Sequence, residues 1–182
     1  FFSGIYSLDS RRRLGKVLDE GSFDLVQVQN IYPFLSPSIF GLCRSRGIPV
    51  VMRCPNYRLF CPSGLHLSHG HVCERCLDGE EWHCVVQNCL DDRFKSLGYA
   101  VRNAFARITG MIVKNVNIFI VLSNFQKMRF IASGIPEKRI ETLPNFAPSV
   151  FETKTRDHED DYVSFVGRVS REKGILDFLK AA

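Results

Sequence analysis

Short apolar segments that each leave through a polar turn into a helical pattern recur along this chain, and that alternation constrains the fold more than any other feature. DLVQVQN at 24–30 alternates apolar with polar and meets a Pro-containing loop, the pattern of a strand leading toward a helix. Ser36-Pro37 pairs a capping residue with a first-turn residue, and the helix it opens runs to about Arg46, where Gly47 supplies a left-handed exit. IPVVM at 48–52 is then a short buried strand. Upstream, Leu14, Val17 and Leu18 set a helix over 9–20 that stops at Gly21. Downstream, the spacing predicts an amphipathic helix over 97–115, a strand IFIVL at 118–122, a helix capped by Ser123 and ended at Gly134, and a strand IETL at 140–143. Strands alternating with helices demand a parallel sheet with helices on its faces, so the expected class is α/β, a Rossmann-like doubly wound sheet.

The alternation is interrupted twice. Residues 53–95 form an irregular, cysteine-rich insertion, and 147–161 is polar and acidic without apolar period, which reads as a linker. The expected organisation is a first domain over 1–146 without its opening strands, the linker 147–161, and the strand, loop and helix of a second Rossmann-like domain over 162–182. The chain starts FFSGIYSL without Met and ends ILDFLKAA inside a helical pattern, so a piece of a longer protein is expected. No signal peptide is read at its start.

Composition narrows the function classes. The most apolar stretch, 108–122, is broken by Lys114 and by Thr109, Asn115 and Asn117, so no membrane span is expected. The net charge of +5 comes from scattered Lys and Arg, which does not indicate a nucleic-acid partner and suits an anionic substrate or membrane surface. Seven cysteines, an odd number, favour a reducing, cytoplasmic setting, with peripheral contact at the inner membrane face allowed.

The insertion carries Cys61, Cys73, Cys76 and Cys89, with Cys73 and Cys76 in a C-x-x-C knuckle able to chelate one metal; four thiolates would complete a tetrahedral structural zinc site. Cys54, Cys84, His66, His69, His71 and His83 are rival ligands, and reduced cysteines, disulfides or an iron–sulfur centre are alternatives. Forty residues this poor in periodicity need some other source of order. The insertion leaves the carboxyl end of strand 48–52, the edge at which open α/β sheets bind ligands. Arg53, Asn56, Tyr57 and Arg58 would stand there, as would Asn30 and Ser36 after the first strand, with loop anchoring as the competing role. On the helix near 97–115, Arg102, Arg107 and Lys114 oppose Val101, Phe105, Ile108, Ile112 and Val113, which predicts core packing ahead of a membrane-surface face; Phe125 and Phe130 are also expected in the core. Asn145 is expected to shape the chain's exit from the first domain.

FVGRVSREKGI at 165–175 places Gly167 and Arg168 after a strand, with Lys173 and Gly174 where a helix begins. An arginine fork and a lysine point charge converging at such a turn suit a diphosphate. This stretch resembles the G-R-x-x-x-x-K-G element of glycosyltransferase family four, the group 1 glycosyl transferases. DLVQVQNIYPFLSPSI, PVVM, VLSNFQKMRFIASGIP and LPNF resemble that family's acceptor-domain landmarks, so the likeness covers nearly the whole chain. Subgroups of the family also carry a cysteine-bearing insertion here. The resemblance implies the two-domain GT-B architecture, a UDP-, GDP- or ADP-linked sugar as donor, a glycan or lipid-linked acceptor, retention at the anomeric carbon and no catalytic metal. It puts Arg168 and Lys173 on the donor diphosphate. It also implies that the glycine-rich turn over the donor precedes residue 1, that the paired-glutamate element follows residue 182, and that residues 1–182 alone do not turn over. Pro55 stands where many members have a histidine, so no catalytic residue is assigned. The rival class is a non-catalytic, zinc-organised module that recognises nucleic acid or protein through 53–95.

Overall fold

The computed structural model describes residues 4–32, 35–146 and 162–181. The elements in chain order are α1 (Leu8–Glu20), β1 (Val26–Gln29), α2 (Ser38–Ser45), β2 (Val50–Arg53), β3 (Leu67–Ser68), β4 (His71–Val72), α3 (Trp82–Val86), α4 (Arg93–Thr109), β5 (Ile118–Val121), α5 (Asn124–Ala132), β6 (Ile140–Thr142) and α6 (Ile175–Ala181). The chain divides into two compact units, Phe1–Asn145 and Phe146–Ala182. The expected linker 147–161 lies outside the described residues.

In the first unit, β1, β2, β5 and β6 form one four-stranded sheet in that order, and every pairing is parallel. Val28 faces Met52, Met52 faces Phe119 and Phe119 faces Ile140, so one row of large apolar side chains crosses the sheet. All four are buried, together with Val50, Val121, Phe40 and Ile39. Flanking helices complete an α/β architecture, as the alternation predicts. Gly47 and Gly134 take left-handed backbone at the exits from α2 and α5. Ser123 caps α5 by accepting from the Gln126 N–H at 3.2 Å.

Several local expectations are corrected. Ser36 does not cap α2; buried, it accepts the Ser7 N–H at 2.9 Å and shares a 2.7 Å hydrogen bond with Ser38, tying the start of α1 to that of α2. The insertion is 54–92, because Arg53 still belongs to β2 and α4 begins at Arg93. Asp92 fixes that start by accepting the Lys95 N–H at 3.0 Å, and left-handed Gly110 ends α4 well before residue 115. Val17 on α1 is exposed while Leu18 is buried. On α4, Val101, Phe105 and Ile108 are exposed, whereas Ile112 is buried beyond the helix end. Arg102, expected on the polar face, is 7% exposed. Phe130 is in the core, but Phe125 lies on the surface beneath the Arg129 guanidinium.

The second unit contains a 3₁₀ turn over Arg171–Lys173 and the helix α6. The expected strand at 162–166 does not form there, since no strand among the described residues pairs with it and a lone strand leaves its ladder unmade. Among the described residues, no helix is long and apolar enough to cross a membrane.

Candidate functional site

The carboxyl edge of β1 and β2 gathers most of the polar residues expected there. Asn30, just past β1, holds left-handed backbone at φ 49° and accepts from the Asn56 side-chain amide at 3.0 Å. Asn56 in turn accepts the Arg58 N–H at 3.1 Å. Arg53, the last residue of β2, donates to Gln29 Oε1 at 3.4 Å and to Asn145 Oδ1. Asn30, Arg53, Asn56 and Arg58 line one small cavity with Tyr32, Met52 and Pro55 among others. Tyr57 is a correction: its ring turns into the insertion and stacks on His66, with centroids 4.3 Å apart and planes 12° apart. Ser36, fully buried in its serine network, does not line the cavity.

The charge at this edge is positive. No carboxylate is among the described residues lining the cavity, while Arg53 and Arg58 both are. Behind Tyr32, the Arg102 guanidinium lies 3.7 Å from that ring's centroid and 4.3 Å from that of Tyr99, a cation held between two aromatic faces. It donates to Asn103 Oδ1 at 3.1 Å. Burial pushes the Tyr32 phenol up to about 12, with Arg102 pulling the other way. Asn103 also donates to the Arg58 carbonyl at 2.8 Å, anchoring that loop to α4. The Arg58 side chain crosses Gly64 so closely that a Cβ there would sit 2.5 Å from its Cγ, and Gly64 has φ 80°.

The cysteines of the insertion form a second assembly. Cys61, Cys73, Cys76, Cys84 and Cys89 line one cavity with His83, Pro62, Ser63 and Leu67. Its free volume is about 10 Å³, room for a single ion or water and far too little for a sugar. Burial pushes the Cys76 thiol up to about 12, helped by Cys61, Cys73 and Cys89; the Cys84 N–H against its sulfur works in the opposite sense. Burial likewise raises Cys84 to about 12, with Cys89 adding to it. All seven cysteines are free. The rival ligands separate out: Cys54 is buried at the end of β2, and His66, His69 and His71 do not line this cavity. Among the described residues, no three or more His, Cys, Asp or Glu side chains form a ready-made metal-holding group.

In the second unit, the Arg168 guanidinium meets Glu172 Oε1 at 3.3 Å. Lys173 closes the 3₁₀ turn by its backbone, donating to the Ser170 carbonyl at 3.0 Å, and Gly174 follows with φ 72°. Arg168, Lys173 and Gly167 are all exposed, on the stretch that turns at Gly174. The exposed Arg168–Glu172 pair is weak, so a doubly charged anion could displace the carboxylate at small cost.

A wider cavity, about 500 Å³, lies at the sheet's amino edge between Arg44, Lys114 and Arg139. Its guanidinium groups are committed to backbone: Arg44 donates to the Lys114 carbonyl at 2.8 Å, and Arg139 to the Val113 carbonyl at 2.6 Å. Sequence reasoning missed Tyr32, Asn103 and Gln126. Gln126 Nε2 donates to the Cys54 carbonyl at 2.8 Å while its Oε1 accepts the Leu122 N–H at 2.8 Å, bolting the insertion to β5. The signal for it was present, because Ser123 and Gln126 have capping-box spacing. No family model, no curated protein and no solved structure matches this chain.

Proposed function

We propose that this chain belongs to a retaining glycosyltransferase of family four with GT-B architecture, which moves a sugar from a nucleotide diphosphate to a glycan or lipid-linked acceptor. The observation that carries this reading is the spacing of Gly167, Arg168, Lys173 and Gly174 on an exposed loop that turns at a left-handed glycine. Arg168 and Lys173 hold the donor diphosphate, exchanging the Glu172 carboxylate for phosphate oxygens. They stabilise the negative charge that grows on the leaving group as the bond from the anomeric carbon to oxygen breaks. The α/β sheet of the first unit supports an acceptor site at its carboxyl edge, where Asn30, Arg53, Asn56 and Arg58 meet. With two arginines and no carboxylate among the described residues lining it, that edge suits an acceptor bearing phosphate. Peripheral contact with the inner membrane face, in a cytoplasmic enzyme, is supported by the exposed apolar row Phe94, Leu97, Val101, Phe105 and Ile108 on α4, beside Arg93 and Lys95.

The test is equilibrium titration of UDP, GDP and ADP against the complete natural protein that carries this chain. One nucleotide is expected to bind, and the double variant Arg168→Ala, Lys173→Ala is expected to weaken it on the order of a hundredfold. Undiminished affinity in that variant removes the site.

A further inference from the structure

Five thiols around an ion-sized cavity demand an explanation that core packing does not supply. Thiols are ordinary core residues when scattered among aliphatic side chains, as Cys43 is on α2. Here they face one another across a space lined otherwise by a histidine, a serine, a proline and a leucine. The segment is also short of conventional order: its strands β3 and β4 are two residues each, and α3 has five. Its backbone is nevertheless drawn in on the thiols. The Cys73 N–H donates to the His66 carbonyl at 2.9 Å, the Cys89 N–H to the Cys84 carbonyl at 3.1 Å, and the Ser63 hydroxyl lies 3.3 Å from the Cys61 sulfur.

We propose that Cys61, Cys73, Cys76 and Cys89 bind one soft divalent metal ion of the zinc class as a tetrathiolate, with Cys84 as a neighbouring thiol outside the coordination sphere. The assignment goes beyond the transferase reading and does not depend on it. Cys73 and Cys76 supply the chelating knuckle, and Cys61 and Cys89 reach the same cavity from the two ends of the insertion. Cys84 lines the same cavity, a neighbouring thiol that can donate to a metal-bound thiolate. His83 meets Glu80 Oε2 through Nε2 at 3.0 Å, so only its Nδ1 competes with the sulfurs for the ion. The thiols now ring the cavity without forming a ready-made group. Metal binding therefore requires the thiols to draw closer together than they stand here. Four S–H bonds give up protons to solvent, four metal–sulfur bonds form, and no electron is transferred.

The experiment uses the full chain, purified under reducing conditions, with metal content measured by mass spectrometry and with cobalt(II) as the spectroscopic probe. Expected are about one zinc per chain and, after exchange, the intense visible bands and sulfur-to-cobalt charge transfer of a tetrahedral thiolate site. Cys76→Ser is expected to drop zinc below about one tenth per chain, while Cys84→Ser and Cys43→Ala keep about one. Because Cys76→Ser could unfold, hydrogen exchange on the unmutated chain gives a separate reading. Chelation is expected to deprotect amides between Cys61 and Asp91 while β1, β2, β5 and β6 stay protected. A chain that takes up neither zinc nor cobalt, or that carries an iron chromophore instead, overturns the proposal. Loss of zinc in Cys84→Ser with retention in Cys61→Ser overturns the choice of ligands.

Discussion

In the sheet, Phe119, Val121, Val50 and Ile140 are almost completely buried, and the strands carry no left-handed residue. The insertion that leaves β2 is built the other way. His66, His69, Asn88 and Asp91 hold left-handed backbone there, each costing on the order of 1 kcal/mol, and the large apolar side chains Val72, Trp82 and Val86 face outward. What offsets that strain is polar and specific. Asn103 holds the Arg58 carbonyl, Gln126 holds that of Cys54, and Arg107 grips Glu81 at 2.7 Å and the Gly79 carbonyl at 2.9 Å. The sheet is stabilised by area removed from water, whereas the insertion is stabilised by particular hydrogen bonds to its neighbours. Damage should therefore scale with buried volume in one region and with lost partners in the other.

The comparison is broken most directly at Phe119, which is 0% exposed. Phe119→Ala is expected to cost about 4 kcal/mol of unfolding free energy, read from the shift in urea midpoint, because neighbours on both flanking strands cannot collapse into the void. Gln126→Ala should cost less, about 2 kcal/mol, by leaving the Cys54 carbonyl and the Leu122 N–H without their side-chain partner. Its mark is spatial: hydrogen-exchange protection should fall from Cys54 into the insertion before it falls in β2 and β5. Equal loss across the sheet would show that the two regions do not differ as argued.

Legibility divides along the same line. Burial leaves a periodic trace, so the four strands of the main sheet, their parallel sense and the glycine exits could be read to within a few residues from apolar spacing. The α4 boundaries were misread because the apolar run continues through Gly110 and because Asp92, the cap, sits outside the period. Arg102 shows the limit of periodic reasoning. Its position marks it as solvent-facing, yet Tyr32, seventy residues earlier, and Tyr99 receive its guanidinium, and only the folded chain brings them together. The cysteine spacing singled out four thiols; Cys84 and His83 join them through the turn around α3, which no spacing rule describes. At 162–166, alternating apolar residues suggested a strand, but ladder partners are not encoded locally.

A smaller effect separates the regions by pH. His66 is buried in the insertion against Tyr57 and Phe60, and its Nε2 has no hydrogen-bond partner among the described residues. Burial first of all, with Arg129 adding to it and Glu74 opposing it, holds the imidazole below its ordinary value. The unfolded chain therefore binds more protons than the folded one once pH falls below about 6.5. Stability from this group is complete above that pH and is lost as pH falls toward the folded value. Urea midpoints measured from pH 7.5 down to 5.5 should decline less steeply in His66→Phe than in the unaltered chain, with Phe119→Ala keeping the unaltered slope.

The smallest expected change comes from the same residue type as the largest. Phe94, on the first turn of α4, is 84% exposed, and Ile108 at the other end of the helix is 73% exposed. Each already contacts water over most of its surface, so Phe94→Ser with Ile108→Ser should alter unfolding free energy by no more than about 0.5 kcal/mol. What the pair should lose is attachment. With Arg93 and Lys95 beside them, these side chains can enter the headgroup region of an anionic bilayer while the cations remain at its surface. Sedimentation with vesicles of mixed neutral and anionic lipid should recover the unaltered chain at low salt and leave the double variant in solution. A double variant that unfolds at a much lower urea midpoint would mean that α4's outward face contributes to the core, and the contrast between Phe119 and Phe94 would fail. Equal sedimentation of the two proteins would leave the fold argument standing and remove the membrane face.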